Sequence, residues 1–205
     1  VPSGAVRKVG PGKQHATIAA AISAAAAGDT IEIDPGTYTN DFPSTINKSL
    51  TLKGVGATRP ILTTTQHAPN RKGLLVVAAN ITLQNLEITG VTVAENDGAN
   101  GSAIRFEGGS LMIDNCYIHR NQNGIMGAPG TGDVTIYKSE FALNGVTDAA
   151  TYPSGFGYTH NIYVNAAKLS VIESYIFSAN VGHNVKSRST NTVIQRSVIA
   201  DGANG

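Results

Sequence analysis

The chain has 205 residues, enough for one packed domain, with 41% apolar residues, only 14% charged residues and 23 glycines, a composition that excludes a disordered chain and a coiled coil. Fifteen basic against 14 acidic side chains give a formal charge of +1, so no broad field exists to gather nucleic acid or an anionic membrane surface. The most hydrophobic run, Leu74 to Ala79, is strand-sized and far short of the roughly eighteen residues of a membrane span, and the lone cysteine, Cys116, excludes an internal disulfide.

The chain opens Val-Pro-Ser-Gly without a methionine. This start fits a mature protein that has lost an export signal, or equally a trimmed chain; a secreted or periplasmic location is expected. His15 to Ala27 then reads as a helix, because Ile18 and Ile22 stand four apart among alanines and Gly28 supplies a stop. The run Gly28-Asp-Thr-Ile-Glu-Ile-Asp-Pro-Gly-Thr-Tyr38 alternates apolar Ile31 and Ile33 with polar residues before turning at Pro35-Gly36. Helix and strand together resemble the opening of the pectate-lyase-like right-handed β-helix proteins. That superfamily includes polysaccharide lyases, hydrolases, epimerases and phage tailspikes along with proteins of no known activity, so the resemblance implies a fold and no single reaction.

Further along, five segments align: Leu83 to Ile88, Ile113 to Ile118, Ile136 to Phe141, Val171 to Ile176 and Ile194 to Ile199. Each has an apolar first position, a small or apolar fourth and an apolar sixth, and their starts are 30, 23, 35 and 23 residues apart. A period near 23 suits a coil of three short strands, and the two longer intervals hold loops rich in turn residues, 91–101 and 146–158. A second column, Ala103 to Phe106, Gly124 to Gly127, Asn161 to Val164 and Asn184 to Ser187, keeps the same register with Ile104, Ile125, Ile162 and Val185 inward. The expected fold is therefore all-β: one right-handed parallel β-helix over residues 1–205, a solenoid of about 23 residues per coil. A capping α-helix is expected over about 14–28 and coils over 29–205. The run Ile199 to Gly205 stops after a strand segment without a second cap, which leaves open both a truncated chain and end-to-end self-association through an open coil.

Strand alternation turns Arg105, Met126, Tyr163 and Lys186 outward, followed by Glu107, Ala128, Asn165 and Arg188. Beside them run the rows Ser102, Asn123, His160, His183 and Ala103, Gly124, Asn161, Asn184. The last two coils thus gather His160, His183, Tyr163, Lys186 and Arg188 as candidate catalytic groups, with Asn161, Asn184, Asn165 and Arg105 as candidate substrate contacts. Tyr152, Phe156 and Tyr158, from the second loop, are expected to wall the same patch with aromatic surface for sugar rings. β-Elimination from a uronic-acid polymer needs a base, a cation for the enolate and a proton donor, and these residue types supply all three.

The segment Val185-Lys-Ser-Arg-Ser-Thr-Asn191 is similar to the Lys-Ser segment of the alginate and chondroitin lyases of this fold. The resemblance implies that Lys186 is the base; Arg188 is too close in sequence to match the family's arginine, which lies on a later coil. Those lyases hold calcium with acidic residues near the lysine, whereas the row here is Asn and His, so no metal or other cofactor is expected. Glu107, Asp114 and Glu173 form no evident pair on one wall for hydrolysis. Two histidines without a carboxylate or thiol make a poor zinc site. Competing readings stay open: the histidine row as a structural ladder, Lys186 and Arg188 as solubilising charges, and the whole protein as a structural or adhesive β-helix that binds glycans without turnover. Turn hydrogen bonding accounts for Asn85, Asn115, Asn121 and Asn144, and packing for Cys116, in a small-residue column with Leu86, Ser139, Ser174 and Ser197. The partner expected on either reading is a polysaccharide, with neither nucleic acid nor membrane insertion.

Overall fold

A computed structural model describes residues 4–130 and 132–201. The opening Val-Pro-Ser and the run after Asp201, on which the expectations of export and an uncapped end rest in part, lie outside the described residues. The strands form three sheets, every pairing parallel. The first sheet contains Val6–Val9, Thr30–Ile33, Leu50–Gly54, Ile81–Gln84, Leu111–Asp114, Asp133–Tyr137, Lys168–Ile172 and Asn191–Gln195. The second contains Thr37–Thr39, Ile61–Thr63, Glu87–Thr89, Tyr117–His119, Glu140–Ala142, Tyr175–Phe177 and Val198–Ala200. The third contains Gly73–Val77, Ser102–Phe106, Asn123–Gly127, Ile162–Val164 and Val185–Ser187. The chain visits the sheets in turn, once per coil, and is a right-handed parallel β-helix.

Both aligned columns hold in register. Leu52, Leu83, Ile113, Ile136, Val171 and Ile194 stack in the first sheet. Leu62, Ile88, Ile118, Phe141, Ile176 and Ile199 stack in the second. Leu75, Ile104, Ile125, Ile162 and Val185 stack in the third. All but Ile194, Ile199 and Val185 of the last coil are buried in one continuous core, each burial contributing about 1.5–3 kcal/mol.

Each repeated six-residue segment is two strands rather than one. The third residue, Asn85, Asn115, Lys138, Glu173 or Arg196, has φ between 46 and 53° and turns the chain from the first sheet into the second. Asparagine tolerates this left-handed conformation; Lys, Glu and Arg occupy it against their intrinsic preference. The stack compensates. The corner N–H of Asn85, Asn115, Lys138 and Glu173 donates to a carbonyl of the next coil, as Lys138 does to Ile172 and Glu173 to Gln195, and Glu173 also pairs with Arg196 at 2.8 Å. The small-residue column beside the corner is a hydroxyl ladder: Ser139 Oγ accepts the Cys116 N–H, Ser174 Oγ that of Ser139, and Ser197 Oγ that of Ser174. Cys116 packs inside it, its thiol pushed up to about 12 by burial.

The N-terminal helix is shorter than expected, spanning Ile18–Ala24. Thr17 Oγ1 caps Ala20 N at 3.2 Å, and Asp41 accepts from Ile18 and Ala19 N. At the other end the Asp29 carboxylate, itself buried, accepts from Ala26 N, Ala5 N and Arg7 Nε within 3.0 Å. That anchor holds residue 26 in the turn to the next strand. Ala25 is already extended, and Gly28, at φ 92°, belongs to that turn and not to the helix terminus. The buried face, Ile18, Ala21 and Ile22, joins the core beside Val6–Val9, the outermost strand of the first sheet, a strand too short to show a periodic signal.

A second ladder runs through the interior. Asn121 Nδ2 donates to Asn144 Oδ1, Asn144 Nδ2 to Asn161, Asn161 Nδ2 to Asn184, and Asn184 Nδ2 to Asp201, all within 2.9 Å. Each asparagine also satisfies a backbone group, as when Asn161 Nδ2 donates to Phe177 O at 2.9 Å. A low-dielectric amide chain of this kind is stable only while every member is paired. Asn161→Ala removes the shared acceptor of the Asn144 side-chain amide and backbone N–H, one of the two donors to the Asn184 oxygen and the side-chain donor to the Phe177 carbonyl. It is expected to lower unfolding free energy by about 3 kcal/mol in urea titrations, with little change in exposed side chains.

Candidate active site

The third sheet presents its outward residues to one wall. Tyr163 pairs with Lys186 across adjacent strands, and Met126 and Arg105 continue the row. Tyr163 is the hub: Lys186 Nζ lies 4.8 Å from its ring centroid, Arg188 Cζ 5.6 Å, and the His160 ring meets it edge-on at 5.6 Å. His183 tilts against His160 with centroids 5.1 Å apart. All five candidate catalytic residues therefore come together.

His160 is tightly positioned. Its own N–H donates to Asn123 Oδ1 at 2.9 Å, and the His183 backbone N–H donates to Nδ1 at 3.0 Å. Because Nδ1 accepts, the neutral ring carries its proton on Nε2, which lies 3.4 Å from Lys186 Nζ. The His160 ring and the Lys186 side chain are therefore in direct contact. Burial first, then the charges of Lys186 and His183, push the His160 pKa down to about 4, so the ring stays neutral at physiological pH. Gly182 permits this arrangement. At φ 70° it bends the backbone under the ring, and a Cβ there would stand 2.4 Å from Nδ1 and 2.2 Å from Thr159 O. Asn123 stands next to His160 in the row read from the sequence; the part of Gly182 was not legible beforehand, its nearest signal being a glycine directly before a histidine of that row.

Other expected contacts fall elsewhere. Asn161 and Asn184 are buried, at 0% and 7% exposure, and belong to the interior ladder, so they do not line the wall. They precede their strands, and the alternation that predicts facing applies only within a strand. Asn165 is half-buried just past the strand that carries Tyr163. Tyr152 turns away: with Thr92, Arg120, Gln122 and Asn180 it lines a separate concavity of about 220 Å³, its ring edge-on to His67 at 6.2 Å. Tyr158 is 75% exposed and, like Phe156, packs on no other ring among the described residues. A second groove, about 380 Å³, crosses the first sheet over Ser49, Thr51, Asn80, Thr82 and Ser110, with Asp133 its one charged lining residue among the described residues.

The acids are dispersed. Glu107 pairs with Lys72 at 2.5 Å, Glu173 with Arg196, and Asp114 accepts from Gln84 at 3.3 Å. Around Lys186 stand imidazoles, a phenol and a guanidinium, a donor set that does not fit calcium, which takes six to eight oxygens. Among the described residues no three His, Cys, Asp or Glu side chains gather to hold a metal ion. Lys186 and Arg188 form no ion pair among the described residues, so the wall carries uncompensated positive charge.

No protein-family model matches the chain. Among solved structures it is similar to the PL6 family alginate lyase AlyGC, with a TM-score of 0.65 and 17% identity over 97% of this chain and 29% of that one. An arginine-to-alanine mutant of the same enzyme matches at 0.64 and 19% identity, with the same coverage. What is shared is the fold. The chain spans about 29% of the length of that lyase. Pectate lyase Pel9A aligns at a TM-score of 0.46 and 16% identity, over the whole of this chain and 80% of that one.

Two measurements test the geometry. In an NMR pH titration, the His160 ring is expected to titrate near pH 4; Lys186→Met should raise that midpoint, though not to 6.5, since burial is the larger cause. Gly182→Ala should push the ring off its Nδ1 contact and return its midpoint towards 6.5.

Proposed function

We propose that the chain is part of an exported, carbohydrate-active β-helix that acts on an acidic polysaccharide, with Lys186 as the base of a β-elimination or of an epimerisation through the same carbanion. The observation that carries this reading is the contact of Lys186 Nζ with Nε2 of a neutral, positioned His160 on a wall with unpaired cations. The fold likeness to an alginate lyase agrees with it.

The chemistry follows from the residues. A uronate bound over Tyr163 places its carboxylate beside Arg188, whose charge favours the enolate that develops when the adjacent C–H is lost. Lys186 Nζ takes that proton as the amine. In elimination the electron pair forms the C4–C5 double bond as the C4–O bond breaks, and the Tyr163 hydroxyl is placed to protonate the leaving oxygen. Return of a proton to the opposite face of the same carbanion inverts the sugar instead. His160 is a positioning residue, since its proton stays on Nε2 throughout.

Intact protein supplied with alginate, pectate or glycosaminoglycans should generate the ultraviolet absorbance of an unsaturated uronide on one of them. Lys186→Ala should reduce that rate by about a thousandfold or more, the scale of losing a general base together with its charge. No absorbance on any polymer, together with unchanged sugar configuration by NMR, would leave glycan binding without turnover as the function.

A further inference from the structure

Arg105 lies on the same outward row, reached from Lys186 through Tyr163 and Met126. It is half-buried, yet no carboxylate among the described residues pairs with it. Its Nη1 meets the Met126 sulfur at 2.8 Å, and its Nε is enclosed without any acceptor. No protein acceptor among the described residues reaches Nη2. The neighbouring acid, Glu107, is held by Lys72. Desolvation pushes the Arg105 pKa down, only partly offset by the charge of Glu107. A guanidinium removed from water and left without an anion is unfavourable, and its planar fork matches a carboxylate.

We infer that Arg105 binds the carboxylate of a uronate three sugars away from the one on which Lys186 acts, so that an acidic polysaccharide lies lengthwise along the stack across at least four consecutive sugars. Three coil steps of about 4.8 Å separate the two residues, about 14 Å in all, and an extended polysaccharide advances by close to one coil spacing per sugar. Met126 offers the intervening ring an apolar contact, and Tyr163 a flat one. The inference rests on the reading of the Lys186 wall as the reaction site.

The test is calorimetric binding of an oligouronide series, from dimer to hexamer, to protein carrying Lys186→Met so that no turnover intervenes. Affinity is expected to step up by about ten- to a hundredfold between trimer and tetramer, the scale of one charge-assisted contact. Adding Arg105→Met should erase that step while leaving dimer affinity unchanged, and Arg105→Lys, which keeps the charge without the fork, should retain part of it. Carboxyl-reduced oligomers should show no step. A step that survives Arg105→Met in protein with an unaltered melting temperature overturns the assignment, as does a smooth length series; an equal step with sulfated neutral oligomers overturns the carboxylate as the recognised group. Turnover by protein with both residues intact separates the two readings: a length step without turnover removes Lys186 as base and leaves Arg105 in place, whereas turnover without a step removes Arg105 alone.

Discussion

Every coil must give its backbone N–H and C=O groups to the coils on either side, because the strands are too short to satisfy one another within a turn. That demand locks neighbouring coils in parallel register, and like positions then stack like side chains at a spacing of about 4.8 Å. The apolar columns, the serine ladder beside the first corner and the asparagine ladder inside the second are all results of this one constraint. It also explains how Lys138 and Glu173 tolerate left-handed backbone, since each corner N–H donates to a carbonyl of the next coil.

The same stacking creates the chemistry of the wall. Register alone sets Tyr163 beside Lys186 and places Arg105 on their row. Side chains that would repel in an unstructured chain are thereby held close: burial first and then that repulsion depress the His160 pKa, while the cations are drawn over the face of Tyr163. Positive charge that the protein does not neutralise internally is available to an anion from outside. A neutral imidazole between those cations fixes direction, because one nitrogen is held by a backbone N–H and the other faces the amine.

Much of the fold was legible because the interior of each coil repeats one environment. Leu83, Ile113, Ile136, Val171 and Ile194 could be aligned without coordinates, and their pairing follows that alignment residue for residue. Legibility failed where the period stops. The segments read as single strands bend at their third residue, a conformation that Lys138 or Arg196 does not advertise. The helix ends early because Asp29, distant from its apolar face, ties residue 26 into a turn. Tyr152 was expected on the wall and lies in another concavity, since a loop between coils carries no periodic rule for its direction.

The sequence by itself determined the parallel solenoid, its three inward columns and the outward row from Arg105 to Lys186, because each depends only on alternation within short strands and on the distance between repeats. Only the tertiary structure decided which polar residues face solvent at the turns. It drew Asn161 and Asn184 into the interior, where unpaired backbone groups needed amide partners, and it left His160 beside Lys186 over the space that Gly182 keeps free. Those outcomes depend on hydrogen-bond satisfaction and steric fit between coils, quantities that no single stretch of sequence contains.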